Sequence, residues 1–311
     1  MCFLVTPDET DPFAGLTDEL PLDGAGVRSR LLAEALRGYA PLRKVFVQRP
    51  SGSETRASVL AAMVTARQER ALDAFLLIHA LMPVLSEDPL PLATWARMLN
   101  RGRTPCTLRV ASAAFRQLVD YKLITREDRG RKTLVTPLLE DGSGDGWTRP
   151  GRTRHALGHG YLTIPYAYWT NGLVDRLQLA GKAMFLIMLS ETSVQTTFSM
   201  AVERAPAWYG ISERTAERGY KQLRDVGVLL EHRQFVNDPR SPTGFRAVWH
   251  RTLAPPFSTA ARHRLQMATR AAVHRKLERA ATPTGSANAP KARRGGEKRD
   301  EAKGTYTSRR A

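Results

Sequence analysis

Cationic side chains recur at matching positions in two stretches of this chain. Arg109 and Arg116 stand in Thr107-Leu-Arg-Val-Ala-Ser-Ala-Ala-Phe115-Arg-Gln-Leu118-Val-Asp-Tyr-Lys-Leu123-Ile124. Arg214, Thr215, Arg218 and Lys221 stand in Ser212-Glu-Arg-Thr-Ala-Glu-Arg-Gly-Tyr220-Lys-Gln-Leu223-Arg-Asp-Val-Gly-Val228-Leu229. An offset of 105 aligns them without a gap, pairing Thr107 with Ser212, Arg109 with Arg214, Phe115 with Tyr220, Arg116 with Lys221 and Leu118 with Leu223. Such guanidinium groups bond phosphate oxygens or fork onto guanine O6 and N7. Catalytic chemistry has no comparable constellation. His155 and His159 have helical i, i+4 spacing, but Gly158 and Gly160 flank them and no Glu lies between, so a zinc-peptidase pattern fails. There is neither a Gly-x-x-x-x-Gly-Lys-Ser/Thr run nor a Gly-x-Ser-x-Gly elbow. Cys106 precedes a helix N-terminus, where a thiol pKa can fall. With Cys2 it makes only two cysteines, too few for a disulfide scaffold or a cysteine zinc site. The expectation is therefore no enzyme, no cofactor and no metal.

The elements that must position these residues repeat as well. Thr107 and Ser212 read as N-caps, whose hydroxyls accept an orphan backbone N–H. Ala111, Phe115, Leu118 and Ala216, Tyr220, Leu223 recur at i, i+4, i+7, one buried stripe per helix. An apolar helix comes before each (Ala71 to Pro83; Leu177 to Leu189), then a short one (Leu92 to Leu99; Val202 to Tyr209). Two strands follow, Leu123–Arg126 with Thr133–Thr136 and Leu229–Val236 with Phe245–Leu253. The order helix, helix, turn, helix, hairpin predicts a mainly α chain with small β-hairpins, built as two tandem winged helix-turn-helix domains. The first turn, Asn100 to Cys106, is longer than its counterpart by about five residues. In this reading Arg214, Thr215, Arg218 and Lys221 enter the major groove, Ser212 holds a phosphate at its helix end, and Arg240 and Arg246 act from the second hairpin. Copy one has Ala113 where copy two has Arg218. Its Arg109, Arg116, Arg129, Arg131 and Lys132, with Arg101 and Arg103 of the turn, grip the backbone, positioning without specifying.

The charge supports a polyanion partner. Lys plus Arg is 47 against 30 acids, a formal +17. Residues 1–25 hold six acids and no base and read as a flexible acidic terminus. Residues 26–139 hold an extension plus the first winged helix; the extension reads as a helix near Leu31 to Arg37 and a strand near Val45–Gln48. Residues 140–160 are Gly-rich and read as a linker whose Arg149, Arg152 and Arg154 track DNA. Residues 161–253 form the second winged helix, with Tyr161, Tyr166, Tyr168 and Trp169 packing inside it. Residues 254–311 hold fourteen bases and four acids. They read as a basic helix capped by Ser258, with a thin stripe of Leu265, Ala268, Ala272, Val273 and Leu277, and then a disordered tail from Pro283. No apolar run reaches membrane-spanning length, and the start carries no basic signal region, so no membrane and a cytoplasmic, nucleoid-associated location are expected. Two modules in one chain read an asymmetric site; a homodimer would read a palindrome.

The stretch Glu203-Arg-Ala-Pro-Ala-Trp208-Tyr209-Gly210-Ile-Ser-Glu-Arg-Thr-Ala216 resembles winged helix regulators, in which a helix ending at Gly leads into a Ser-capped recognition helix. With Lys44-Val-Phe-Val-Gln-Arg-Pro50, Arg70-Ala-Leu-Asp73, Gly160-Tyr-Leu-Thr-Ile-Pro165-Tyr-Ala-Tyr-Trp169 and Gly181-Lys-Ala-Met184, the chain resembles actinobacterial tandem winged-helix DNA-binding proteins over most of residues 26–253. The resemblance implies a sequence-specific duplex DNA-binding transcriptional regulator. The architecture is also similar to that of plasmid or mobile-element replication initiators, which bind origin repeats. A third reading is a protein-docking scaffold using the same folds. It would leave DNA binding weak and insensitive to Arg214→Ala and Arg218→Ala.

Overall fold

The structure, a computed structural model, describes residues 18–86, 88–101, 105–150 and 160–281. The expectations for Arg103, Arg152, Arg154, His155 and His159, for the acids before Asp18, for the side chain of Leu277 and for the tail from Pro283 fall outside them. The chain is mainly helical with short antiparallel strand pairs. In order come α1 (Gly24–Glu34), β1 (Tyr39–Arg43), a 3-10 turn (Lys44–Phe46), α2 (Val59–Thr65), α3 (Glu69–Leu85), α4 (Leu92–Met98), α5 (Leu108–Asp120), β2 (Ile124–Arg129) and β3 (Lys132–Pro137). Then follow β4 (Tyr161–Pro165), α6 (Ala167–Thr170), α7 (Leu173–Arg176), α8 (Leu179–Glu191), a 3-10 turn (Val202–Arg204), α9 (Ala205–Tyr209), α10 (Glu213–Asp225), β5 (Leu229–Asn237), β6 (Phe245–Leu253) and α11 (Thr259–Ala281).

The repeated helices form for the reasons their sequences give. Thr107 accepts from Val110 N–H and Ser212 from Thr215 N–H, each satisfying a donor that helix geometry leaves orphaned. Ala111, Ala114, Phe115 and Leu118 are buried on α5; Ala216, Gly219, Tyr220 and Leu223 are buried at the matching positions on α10. Gly219 sits mid-helix, where glycine costs about 1 kcal/mol against alanine. A Cβ there would meet the Met184 side chain and come 2.5 Å from the Ala180 carbonyl oxygen, so glycine lets α10 press onto α8. Both helices end in a left-handed residue, Lys122 (φ 54°) after α5 and Gly227 (φ 73°) after α10, again 105 apart. Each hairpin then follows, pairing Ile124 with Pro137 through Arg129 with Lys132, and Leu229 with Leu253 through Asn237 with Phe245.

Three expectations change in three dimensions. The predicted strand at Val45–Gln48 is instead β1, six residues earlier at its start, because β1 pairs with β4, Tyr39 opposite Pro165 through Arg43 opposite Tyr161. Val45, Phe46 and Val47 are buried in and beside a 3-10 turn. Secondly, the segment expected as a linker does not divide two separate cores. Residues up to Arg270 form one compact unit, and a continuous apolar core runs from Leu32 to Phe257. Helices α3 and α8 are buried on nearly every side, as central helices are. Leu139 and Glu140 are themselves buried; Arg43 donates to Glu140 at 2.6 Å and to the Thr148 carbonyl at 2.7 Å. Residues 140–150 therefore pack on the body, and 151–159 lie outside the described residues. Thirdly, α11 docks by polar side chains. Ala268, Ala272 and Val273 are exposed, while Arg262 is buried and donates to the carbonyls of Phe257, Leu189 and Thr192. Gln266 donates to Thr163 Oγ1, and Thr269 to the Arg37 carbonyl. Arg262, Leu265, Gln266 and Thr269 share one helix face by their spacing. Burial pulls the Arg262 guanidinium down to about 10. From Ala271 onward the chain forms a second unit. No helix among the described residues is long and apolar enough to cross a membrane.

Candidate nucleic-acid interface

Burial of one stripe leaves the opposite edge of each repeated helix in solvent. On α10 Ser212, Arg214, Arg218 and Lys221 are exposed and Thr215 half-buried; on α5 Arg109 and Arg116 are exposed. Arg109, Arg116, Arg214 and Arg218 form no ion pair among the described residues. Lys221 does, with Asp225 one turn on at 2.7 Å. Opposite charges at i, i+4 on an exposed helix interact weakly, so Lys221 remains exchangeable. Ser212 Oγ lies 2.9 Å from Thr215 Oγ1 and accepts from Thr215 N at 3.2 Å, so its oxygen is engaged in the cap.

The equivalent faces of α5 and α10 border adjoining hollows. One, of about 720 Å³, is lined by Ser212, Thr215, Arg218 and Gln222; the other, of about 500 Å³, by Val110, Ala113, Ala114 and Gln117. Arg67, Glu69 and Arg101 line both. Val110 aligns with Thr215, Ala113 with Arg218 and Gln117 with Gln222 at the offset of 105. The repeat thus carries two aligned helix faces to a shared floor, one polar and cationic, the other apolar apart from Gln117. No protein-family model, curated protein or solved structure matches this chain. The chemistry of the site therefore rests on its own geometry.

That geometry redistributes the cations assigned to copy one. Arg101 is built into the body: it pairs with Glu69, approaches Asp73 at 3.3 Å and donates to the Leu177 carbonyl at 3.0 Å. The same acids hold Lys182, which is completely buried; it pairs with Asp73 and lies 3.4 Å from Glu69. Burial lowers the Lys182 pKa, and Asp73 opposes that fall. On the first hairpin Arg129 pairs with Glu127 at 2.8 Å and Lys132 with Asp88, both exposed, while exposed Arg131 has no ion pair among the described residues. Arg126 pairs with Asp128. Exposed apolar side chains also flank this copy: Leu108, Val110 and Val119 on α5. Cys106 is buried, and burial pushes its thiol up, the reverse of activation. No cluster of three metal-binding side chains occurs among the described residues.

The second hairpin is the more open. Arg240 and Arg246 are exposed, Arg246 lying 3.8 Å from Asp238. Its root is anchored by Glu231. Burial would raise that carboxyl, but bonds from Arg251 and Arg224 leave its pKa lowered. Two contributors escape sequence reading. Arg67 lines both hollows from a left-handed backbone (φ 55°), at the end of α2, where glycine is the usual residue. Arg224 ties α10 to the hairpin. Only the charge of these residues was visible in sequence; their neighbours come from distant segments.

Proposed function

We propose that this chain is a sequence-specific duplex DNA-binding protein, a transcriptional regulator without catalytic activity, working in the cytoplasm at the nucleoid. The carrying observation is that Arg214 and Arg218 stand exposed on a Ser-capped helix, with no ion pair among the described residues, beside a hairpin rich in cations. In this reading α9, α10 and the β5–β6 hairpin act as one winged helix-turn-helix, and α4, α5 and the β2–β3 hairpin as the other. The resemblance to tandem winged-helix proteins belongs to the same proposal. Copy two reads bases. Copy one contributes Arg109, Arg116 and Arg131, with Arg129 and Lys132 available when their exposed, weak ion pairs exchange; Arg101 is withdrawn, because Glu69 and Asp73 hold it in the body. The same contacts would serve a replication initiator; bound direct repeats and loss of replication with Arg214→Ala would distinguish that role.

Selection of bound sites from a random duplex pool tests this. A consensus is expected for the intact chain. Arg214→Ala with Arg218→Ala should relax it at particular positions, since a bidentate arginine–guanine pair gives about 1–3 kcal/mol of discrimination. A pool that stays random, or a consensus untouched by these changes, refutes the proposal. The exposed Leu108 and Val119, which share one side of α5, favour a second reading for copy one, a protein-docking face on that helix. It predicts that Leu108→Ser with Val119→Ser abolishes capture of a partner while the DNA consensus persists.

A further inference from the structure

The outer part of the β5–β6 hairpin carries a surface that duplex reading does not use. Register places Arg233 opposite Trp249, Phe235 opposite Ala247 and Asn237 opposite Phe245, so these side chains share one face of the ribbon. Near the root that face meets the body: Leu229 and Leu253 are buried and the Arg251 guanidinium lies 4.2 Å from the Tyr220 ring centroid on α10. Further out nothing among the described residues covers it. Phe235, Phe245 and Trp249 are 61%, 52% and 43% exposed. The Arg233 guanidinium lies over two of these rings, 4.6 Å from Phe235 and 5.8 Å from Trp249.

Charge decides what such a face can take. The ribbon's two carboxylates already have partners, Glu231 with Arg224 and Arg251, and Asp238 with Arg246. Arg233 and Arg240 have no ion pair among the described residues. Pairing with a second copy of this face would set Arg233 among like charges without a carboxylate, which burial penalises. Nucleotides satisfy both halves of the surface: bases stack on rings, and phosphates meet the guanidinium groups. Paired bases keep their faces inside the duplex stack, so the ligand must present unpaired ones. We infer that the outer β5–β6 hairpin is a stacking platform for single-stranded nucleic acid, with Phe235 and Trp249 receiving bases and Arg233 receiving a phosphate. A base that takes the place of Arg233 on a ring frees that guanidinium for the phosphate arriving with it. Arg224 and Glu231 set this face beside α10, so the ligand can run from the helix to the ribbon.

The surface differs from that of Arg214 and Arg218, so either proposal can fail alone. The test titrates the full chain with a labelled thymidine oligonucleotide of about 20 nucleotides, which cannot pair with itself, with a uridine oligonucleotide and with a duplex of equal length. Phe235→Ala with Trp249→Ala should weaken thymidine-strand binding at least tenfold and change duplex binding less than twofold. Trp249→Phe should recover most of the loss; Arg214→Ala with Arg218→Ala should show the opposite pattern. Tighter binding of the uridine or the thymidine strand assigns the ligand to RNA or DNA. The inference is overturned if the double alanine variant keeps its single-strand affinity, or if inorganic polyphosphate of matched charge competes as well as the oligonucleotide. It is equally overturned if the variant merely turns a dimer into a monomer with strand binding intact. Should the double variant melt early, Trp249→Ala alone carries the comparison.

Discussion

For the proposed duplex binding, the residues that matter most are those the fold leaves without an ion pair. Arg214 and Arg218 are exposed and have no ion pair among the described residues, whereas Lys221 shares its charge with Asp225. Arg214→Ala and Arg218→Ala should each cut affinity for the selected duplex about tenfold or more, and Lys221→Ala by less, as read by fluorescence anisotropy. A second residue-scale consequence concerns His79. It is fully buried in α3, with its ring 4.6 Å from Phe75 and 6.2 Å from Trp147, and neither ring nitrogen has a hydrogen-bond partner. Burial pulls its pKa down to about 4. The unfolded chain, with an ordinary histidine pKa of about 6.5, then binds a proton before the folded one does. Titration of His79 thus leaves stability unchanged above that pH and removes it as pH falls from about 6.5 to about 4, by a total of about 3 kcal/mol. His79→Phe should unfold in urea at no lower concentration than wild type at pH 7. It should also lose less stability between pH 6.5 and 4; an unchanged slope would show that other groups carry the acid sensitivity.

At the scale of elements, the internal repeat supplies its own controls. Lys122 and Gly227 hold the same left-handed turn, but lysine is strained there by about 1–2 kcal/mol. Lys122→Gly should stabilise the chain by about 1 kcal/mol, measured by urea unfolding. Gly219 and Ala114 hold the same helical position, yet the glycine meets backbone of α8. Gly219→Ala should therefore destabilise by about 1–3 kcal/mol despite its better helix propensity. Were it stabilising, α10 would not press on α8 as closely as the contacts say. The helices and hairpins were legible in sequence because their signals are local: a cap, an i, i+4, i+7 stripe, a Gly turn. The strand at Tyr39–Arg43 was not, because nothing nearer than Tyr161–Pro165 supplies its hydrogen bonds.

For the whole molecule, the buried charges bind distant segments together. Lys182 of α8 sits with Asp73 and Glu69 of α3, and Arg28 of α1 pairs with Asp175 of α7. Removing one member strands its partner in the interior. Lys182→Met should cost about 3–5 kcal/mol, and Asp73→Leu added to it should recover much of the loss, as judged by thermal melts. Because one core runs through residues up to Arg270, calorimetry should record one unfolding transition for both repeats. The length of the tail also matters. Residues 282–311 hold eight bases and three acids, so their removal should flatten the salt dependence of DNA binding and spare both stability and consensus. Removal from residue 254 takes away Arg262 and its carbonyl contacts as well, and should lower the melting temperature.

The amino-acid order alone determined the repeat, its caps, its hairpins and the identities of its cations, since each depends on spacing within one or two turns of chain. Tertiary structure decided which cations are spent. Arg101 looks like Arg214 in sequence, but Glu69 and Asp73 of α3 hold it in the body, whereas the exposed pairs of Arg129, Lys132 and Lys221 stay exchangeable. It also decided that a glycine-rich stretch starts on the body and that a basic helix docks through Arg262, because a buried charge is stable only where distant chain brings its partners.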